Sequence, residues 1–218
     1  MTFPGHPLFD TLDHLGEQHD LTNHPTLASF IKEKTPDGAW DDYRAVLRFL
    51  QDQSGSPETF SRFRSEIQRF LLYLWLVARR TLPQANPETV ENYYQFLRTP
   101  PGPWIATSPK RGFHNDGGQR VANPDWRPFN QRDPSKPYRA KQSTFETTPA
   151  VLSTFFRQLT IRGVIQRNPL LEVRASAQKA PAIKDRHARG SVRRLTGWQW
   201  ACLMEAVEQA AGNNPRYE

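Results

Sequence analysis

Cysteine is nearly missing from this sequence, with Cys202 the only one. A lone cysteine cannot close an internal disulfide, which excludes the small disulfide-stapled secreted domains and fits a reducing, cytoplasmic setting. It also excludes zinc sites built on paired cysteines, and Cys202 reads as a small apolar residue on a helix. Long apolar runs are missing too. The most apolar stretch, residues 70–78, is nine residues long, whereas a spanning helix needs about 20, so no membrane partner is expected. The opening MTFPGHPLFDTLDH has no basic segment leading into an apolar core, so it does not read as a secretory signal. There is no phosphate-cradling glycine loop and no Gly-x-Ser-x-Gly elbow. Four histidines (His6, His14, His19, His24) lack metal-ligand spacing and read as surface residues. Neither a metal nor a cofactor is expected.

The chain has positive charge instead, unevenly spread, with a formal net charge of +7. Residues 1–34 carry 2 basic and 5 acidic groups, and residues 35–100 carry 8 of each. Residues 101–171 carry 11 basic against 4 acidic, and residues 172–218 carry 8 against 5. A second half so rich in cations attracts phosphate polyanions, because contact releases condensed counterions. The apolar fraction of 37 % is low for a compact domain, and 19 prolines are many. Together they predict helices separated by long polar connections.

Residues 1–34 are acidic and weakly periodic, which marks an N-terminal extension with at most a short helix near Leu27 to Ile31. Residues 40–53 (WDDYRAVLRFLQDQ) read as an amphipathic helix, with Trp40, Tyr43, Val46, Leu47 and Leu50 at three- and four-residue steps. Ser56 then caps a longer helix, with Pro57 at its first position and an apolar stripe from Phe60 through Phe63, Ile67, Phe70 and Leu74 to Val77. Asn86-Pro87-Glu88 repeats the pattern and opens a helix that buries Val90, Tyr93, Tyr94 and Leu97.

Residues 99–140 hold eight prolines and almost no apolar periodicity. They read as a long Pro-rich insertion, partly ordered by Trp104 and Trp126, and as the interior segment most open to proteases. Helix returns at about 143–163, where Ser143 with Glu146 offers one start and Thr148 with Pro149 another. Residues 172–194 have the composition of a basic linker, and Thr196 caps a last helix.

Basic side chains lie on the polar faces of the two longest helices. Arg62 and Arg69 are two turns apart, and Arg139, Lys141 and Ser143 cluster at the start of the later helix, with Arg157 and Arg162 further on. A helix fits the major groove of DNA, and arginines so placed reach phosphates or guanine edges.

Three stretches carry a family resemblance. The first runs from Ser56-Pro57-Glu58-Thr59-Phe60 to Ile67-Gln68-Arg69-Phe70-Leu71-Leu72-Tyr73-Leu74. The second is Leu152-Ser153-Thr154-Phe155-Phe156-Arg157-Gln158-Leu159, then Gly163-Val164-Ile165 and Asn168-Pro169. The third is Arg194-Leu195-Thr196-Gly197-Trp198-Gln199-Trp200, leading to Leu203-Met204. In this order they resemble the core-binding domain of tyrosine recombinases, the family of phage and integron integrases, with the opening of the catalytic domain behind it. The match covers roughly residues 38–98 and 142–211, and residues 99–141 depart from it.

The resemblance implies an all-α fold: a SAM-like four-helix core-binding domain over residues 35–171 with its insertion at 99–141, then a linker, then one further helix in 195–218. It implies double-stranded DNA as partner, gripped by a C-shaped clamp, with homo-oligomers of the full-length protein forming on DNA. The DNA-facing residues it implies are Thr59, Arg62 and Arg69 on one helix and Lys141, Ser143, Thr144 and Arg157 on another, beside the basic Arg139 and Arg162. Family members cleave DNA through a tyrosine–phosphate bond, with two Arg, a Lys and His residues around the phosphate. None of these groups is matched here, and Arg216 and Tyr217 do not fit the family motifs, so the chain is expected to stop short of the catalytic residues. Two rival readings are a non-enzymatic helical DNA-binding protein and a helical protein-interaction module.

Overall fold

Six α-helices lie among the described residues: α1 (Leu12–Leu15), α2 (Pro25–Lys34), α3 (Ala39–Asp52), α4 (Pro57–Leu76), α5 (Pro87–Arg98) and α6 (Gln142–Ile161). Four short strands fall between the last two: β1 (Ile105–Ala106), β2 (Phe113–Asp116), β3 (Gln119–Ala122) and β4 (Phe129–Asn130). The computed structural model describes residues 3–131, 133 and 135–171. The linker expected at 172–194, the helix from Thr196, Cys202, Arg216 and Tyr217 lie outside the described residues. The protein is mostly helical, and among the described residues no strand set closes into a barrel or large sheet.

The caps form where the side chains invite them. The Thr59 amide donates to Ser56 Oγ at 3.4 Å, with Pro57 at the start of α4. At α5, Asn86 Oδ1 accepts from the Thr89 amide at 2.9 Å, and Thr89 Oγ1 accepts from the Asn86 amide at 3.4 Å. These reciprocal bonds satisfy backbone donors that a helix end leaves open. At α6 the two candidate starts resolve differently. The helix begins at Gln142 behind Lys141, the Ser143/Glu146 box does not close it, and Pro149 lies inside the helix. Proline lacks an amide proton, so the Phe145 carbonyl loses its intrahelical partner at that turn. The packing of Val151, Leu152, Phe155, Phe156 and Leu159 into the core outweighs this cost.

The core lies where α3, α4, α5 and α6 meet. Phe49 of α3 packs against Phe63 of α4 at 5.5 Å and against Phe155 of α6 at 5.2 Å between ring centres. Phe70 of α4 meets Tyr93 of α5 edge-on at 5.1 Å and Phe156 of α6 at 5.4 Å. The paired aromatics at 155–156 therefore tie α6 to two different partners. Buried Asp42 holds the end of this core together. Its carboxylate accepts from Trp75 Nε1 at 2.9 Å and from the Leu82 amide at 3.0 Å.

The segment read as an N-terminal extension packs into this core instead. Leu8, Phe9, Leu15, Leu27 and Ile31 are buried in the same hydrophobic cluster as the helices. Gln68 of α4 anchors it, its Oε1 accepting from the amides of Leu8 at 2.6 Å and Phe9 at 3.0 Å. The expectation of surface histidines fails at His24, which is buried beside Phe113 and whose pKa burial lowers. Apolar contacts scattered without a helical period left this segment's packing invisible to a periodicity argument.

The Pro-rich insertion is also more ordered than its composition suggests. β1 and β4 pair in parallel, with Ile105 opposite Phe129, and β2 and β3 form a hairpin. Gly117 and Gly118 turn it with φ of 54° and 85°, the positive values that a two-residue hairpin turn requires. Trp104, Trp126 and Phe129 are buried, and Phe3 meets Trp104 at 5.2 Å. Gly112 lies where a Cβ would come within 3.0 Å of Pro7, so the insertion docks closely on the N-terminal segment. The expectation of protease sensitivity throughout 99–141 narrows accordingly. Within 99–141, limited proteolysis followed by mass spectrometry is expected to cut first at the exposed hairpin tip, 114–119. First cuts at 104–106 or 126–130 would mean that the insertion is not docked.

Candidate nucleic-acid interface

Apart from Arg69, the residues expected to face DNA divide into four groups. Thr59 and Arg62 are exposed on the N-terminal half of α4. The Thr59 amide is already spent in the cap, which leaves its hydroxyl for a partner. Arg139 and Lys141 are exposed just before α6, with Ser143 exposed and Thr144 half-buried in its first turn. Arg157 is exposed further along α6. Arg162, at the end of α6, is ion-paired with Asp52 of α3, so its charge is offset.

Arg69 corrects the idea that two turns of spacing put it on one open face with Arg62. Its guanidinium lies inward, with Nη1 donating to both Glu66 carboxylate oxygens at 3.2 Å. The two side chains are only 14 % and 12 % exposed. Glu66 Oε2 also accepts from the buried Thr148 hydroxyl of α6 at 2.7 Å. The Phe129 ring of the insertion covers the guanidinium, with its centre 5.0 Å away. Burial pulls the Arg69 pKa down most strongly, but the Glu66 carboxylate together with the nearby Tyr93 and Tyr138 turns the net shift upward. The insertion roofs the second half of α4, so the helical period that exposes Arg62 buries Arg69. Arg69 is a tertiary joint rather than a free cation.

Two grooves gather basic groups. The first, of about 760 Å³, is lined by Arg139, Lys141, Lys136, Tyr138 and Asn130, with Pro109 on its edge. Lys136 is paired with Asp133 at 3.0 Å, whereas Arg139 and Lys141 have no acidic partner among the described residues. The second groove, also of about 760 Å³, runs between the N-terminal segment, α4 and the insertion. Arg64, Lys110, Arg111, Arg120 and Arg127 line it, and Pro109 and Asn130 belong to both grooves.

Within the second groove some charge is internally offset. Arg120 grips the buried Asp10 with two bonds, Nε to Oδ2 at 2.8 Å and Nη2 to Oδ1 at 2.6 Å. Arg127 donates to the carbonyls of Pro124 and Trp126 at 2.7 Å and stacks over Phe3, which fixes it without a carboxylate. Arg64 is half-buried over Phe60, and desolvation lowers its pKa against the pull of Asp10. Lys110 and Arg111 are exposed. Asp13 is the acidic group at the rim without a cationic partner among the described residues.

Arg64, Lys110, Arg111, Arg120 and Arg127 were not among the residues singled out by pattern. The available signal was composition: residues 99–141 hold eight Lys and Arg against three Asp. Thr59 and Arg62 line neither groove, and Arg162 lines a separate hollow with Arg44 and Arg48. Among the described residues, no three His, Cys, Asp or Glu side chains gather to share a metal ion, and no helix is long and apolar enough to cross a membrane. No family model, curated protein or solved structure matches the chain.

Proposed function

We propose that this chain binds double-stranded DNA as the SAM-like core-binding portion of a tyrosine recombinase or integrase, working in DNA integration and recombination. In this reading α3, α4, α5 and α6 are the four core-binding helices, and the ends of α4 and α6 carry the DNA contacts. The observation that supports it best is the pair of exposed cations at the start of α6, Arg139 and Lys141, which line an open groove and have no acidic partner among the described residues. A helix start also presents backbone N–H groups to phosphate. Thr59 and Arg62 on α4, with Ser143, Thr144 and Arg157 on α6, extend the contact set. These groups hold and position a duplex, and the reading assigns none of them to strand cleavage.

The test is duplex binding as a function of salt. Affinity for a fluorescein-labelled duplex, followed by anisotropy, is expected to fall steeply with added salt, with a log–log slope of about −0.9 for each phosphate neutralised. Arg139→Ala with Lys141→Ala is expected to flatten that slope by roughly 2 at unchanged helicity. Absence of duplex binding at low salt would favour the rival reading of a protein-interaction module.

A further inference from the structure

The insertion gives the chain something that the four helices alone do not provide. Its cations do not converge on one point, as they would for a small anion. Arg139 and Lys141 lie in one groove and Lys110, Arg111 and Arg127 in the next, joined at Pro109 and Asn130. From the α4 side, Arg64 adds its charge to the second groove, and Ser65 and Asn115 add polar groups. Arg120 is neutralised by Asp10, and Asp13 offsets one further charge, so the groove stays net positive.

We propose that residues 99–141 and Arg64 form a phosphate track that continues from the start of α6 and holds a further stretch of the DNA duplex backbone. This rests on the DNA-binding reading above and deepens it. A row of cations along connected grooves suits a polymer that carries charge at regular short intervals. The aromatic residues argue for a duplex over a single strand. Single strands are held largely by bases stacking on open aromatic rings. In this groove Phe9, Phe113 and Trp126 are buried beneath the polar lining and offer no open ring face. The track therefore reads backbone and shape, not base identity, and it sets where and how firmly the duplex lies.

The experiment uses the full chain, with anisotropy titrations against a labelled duplex and against one of its strands over a range of salt. Lys110→Ala with Arg111→Ala is expected to weaken duplex binding about tenfold at low salt and to reduce the salt slope by roughly 2. Arg44→Ala with Arg48→Ala removes two exposed charges from α3 and is expected to leave the slope unchanged, which controls for net charge. Arg111→Glu is expected to weaken binding further than Arg111→Ala. All four sites are exposed, so circular dichroism should match that of the parent. If the parent chain binds no duplex, the DNA reading itself fails. If it binds and the Lys110/Arg111 pair keeps the parental slope, or loses no more than the α3 pair, the track is refuted while the DNA reading stands. A larger loss on the single strand than on the duplex would assign the groove to single-stranded nucleic acid and overturn the proposal.

Discussion

Glu66→Ala is expected to destabilise the protein by about 2–4 kcal/mol, one of the largest effects open to a single polar side chain here. The substitution leaves the Arg69 guanidinium inside the structure without its carboxylate and strips Thr148 of its acceptor. An unpaired buried charge costs far more than the net worth of the intact pair, because the charged group has lost water and gained nothing. The slight exposure of both side chains keeps the expected loss below that of a sealed pair. The damage is expected to reach the insertion as well, since Phe129 is packed on that guanidinium. Urea unfolding is the direct measurement. Glu66→Leu combined with Arg69→Met is expected to recover the part of the loss that comes from the unpaired guanidinium, while the Thr148 hydroxyl still lacks its acceptor. A stability for Glu66→Ala within about 0.5 kcal/mol of the parent would show that the pair is not a joint of the fold. The same reasoning means that Arg69→Ala lowers stability whether or not DNA is present, so it cannot report on DNA contact.

The second large effect is a pH dependence centred on Asp42. Burial raises its pKa to about 6, while the bonds from Trp75 and Leu82 oppose the shift. In the unfolded chain the same carboxyl titrates near its ordinary value of about 3.9. The folded state thus binds a proton more tightly than the unfolded one. The contribution from Asp42 is fully present below about pH 4 and is lost as pH rises through about 6. A shift of about two units corresponds to something on the order of 3 kcal/mol across that window. Asp42 is almost wholly buried, so solvent screening does not reduce it appreciably. Asp42→Asn removes the titration, and one amide oxygen can still accept from one of the two donors. The difference in urea stability between parent and Asp42→Asn is expected to move against the parent as pH climbs from 4 to 7. Parallel pH profiles for the two proteins would show that Asp42 does not titrate in this range.

Much of the helical frame was legible in the sequence because its signals are local. Ser56-Pro57 and Asn86-Pro87 mark helix starts through the backbone donors that they satisfy, and the apolar stripes of α3, α4 and α6 predict which faces are buried. The paired Phe155 and Phe156 were visible as core residues, though not that one meets Phe49 and the other Phe70. The N-terminal segment and the insertion were read less well. Both fold by contacts between distant residues, such as Gln68 with Leu8 and Arg120 with Asp10, which leave no period in the sequence.

For the candidate interface, the sequence by itself determined the charge: a second half rich in lysine and arginine, concentrated in 99–141 and at the start of α6. Composition survives any folding, so the charge is fixed before the chain takes a shape. Only the tertiary structure decided which cations remain available to a partner. Arg62 and Arg69 share one helical face by spacing, yet Arg62 is exposed and Arg69 is closed in by Glu66, Thr148 and Phe129. Helical periodicity gives the direction of a side chain about its own axis, but what lies in that direction depends on the elements that pack there. Here a segment from far along the chain settles over half of α4. It buries one arginine and brings its own lysine and arginines to the groove edge in exchange.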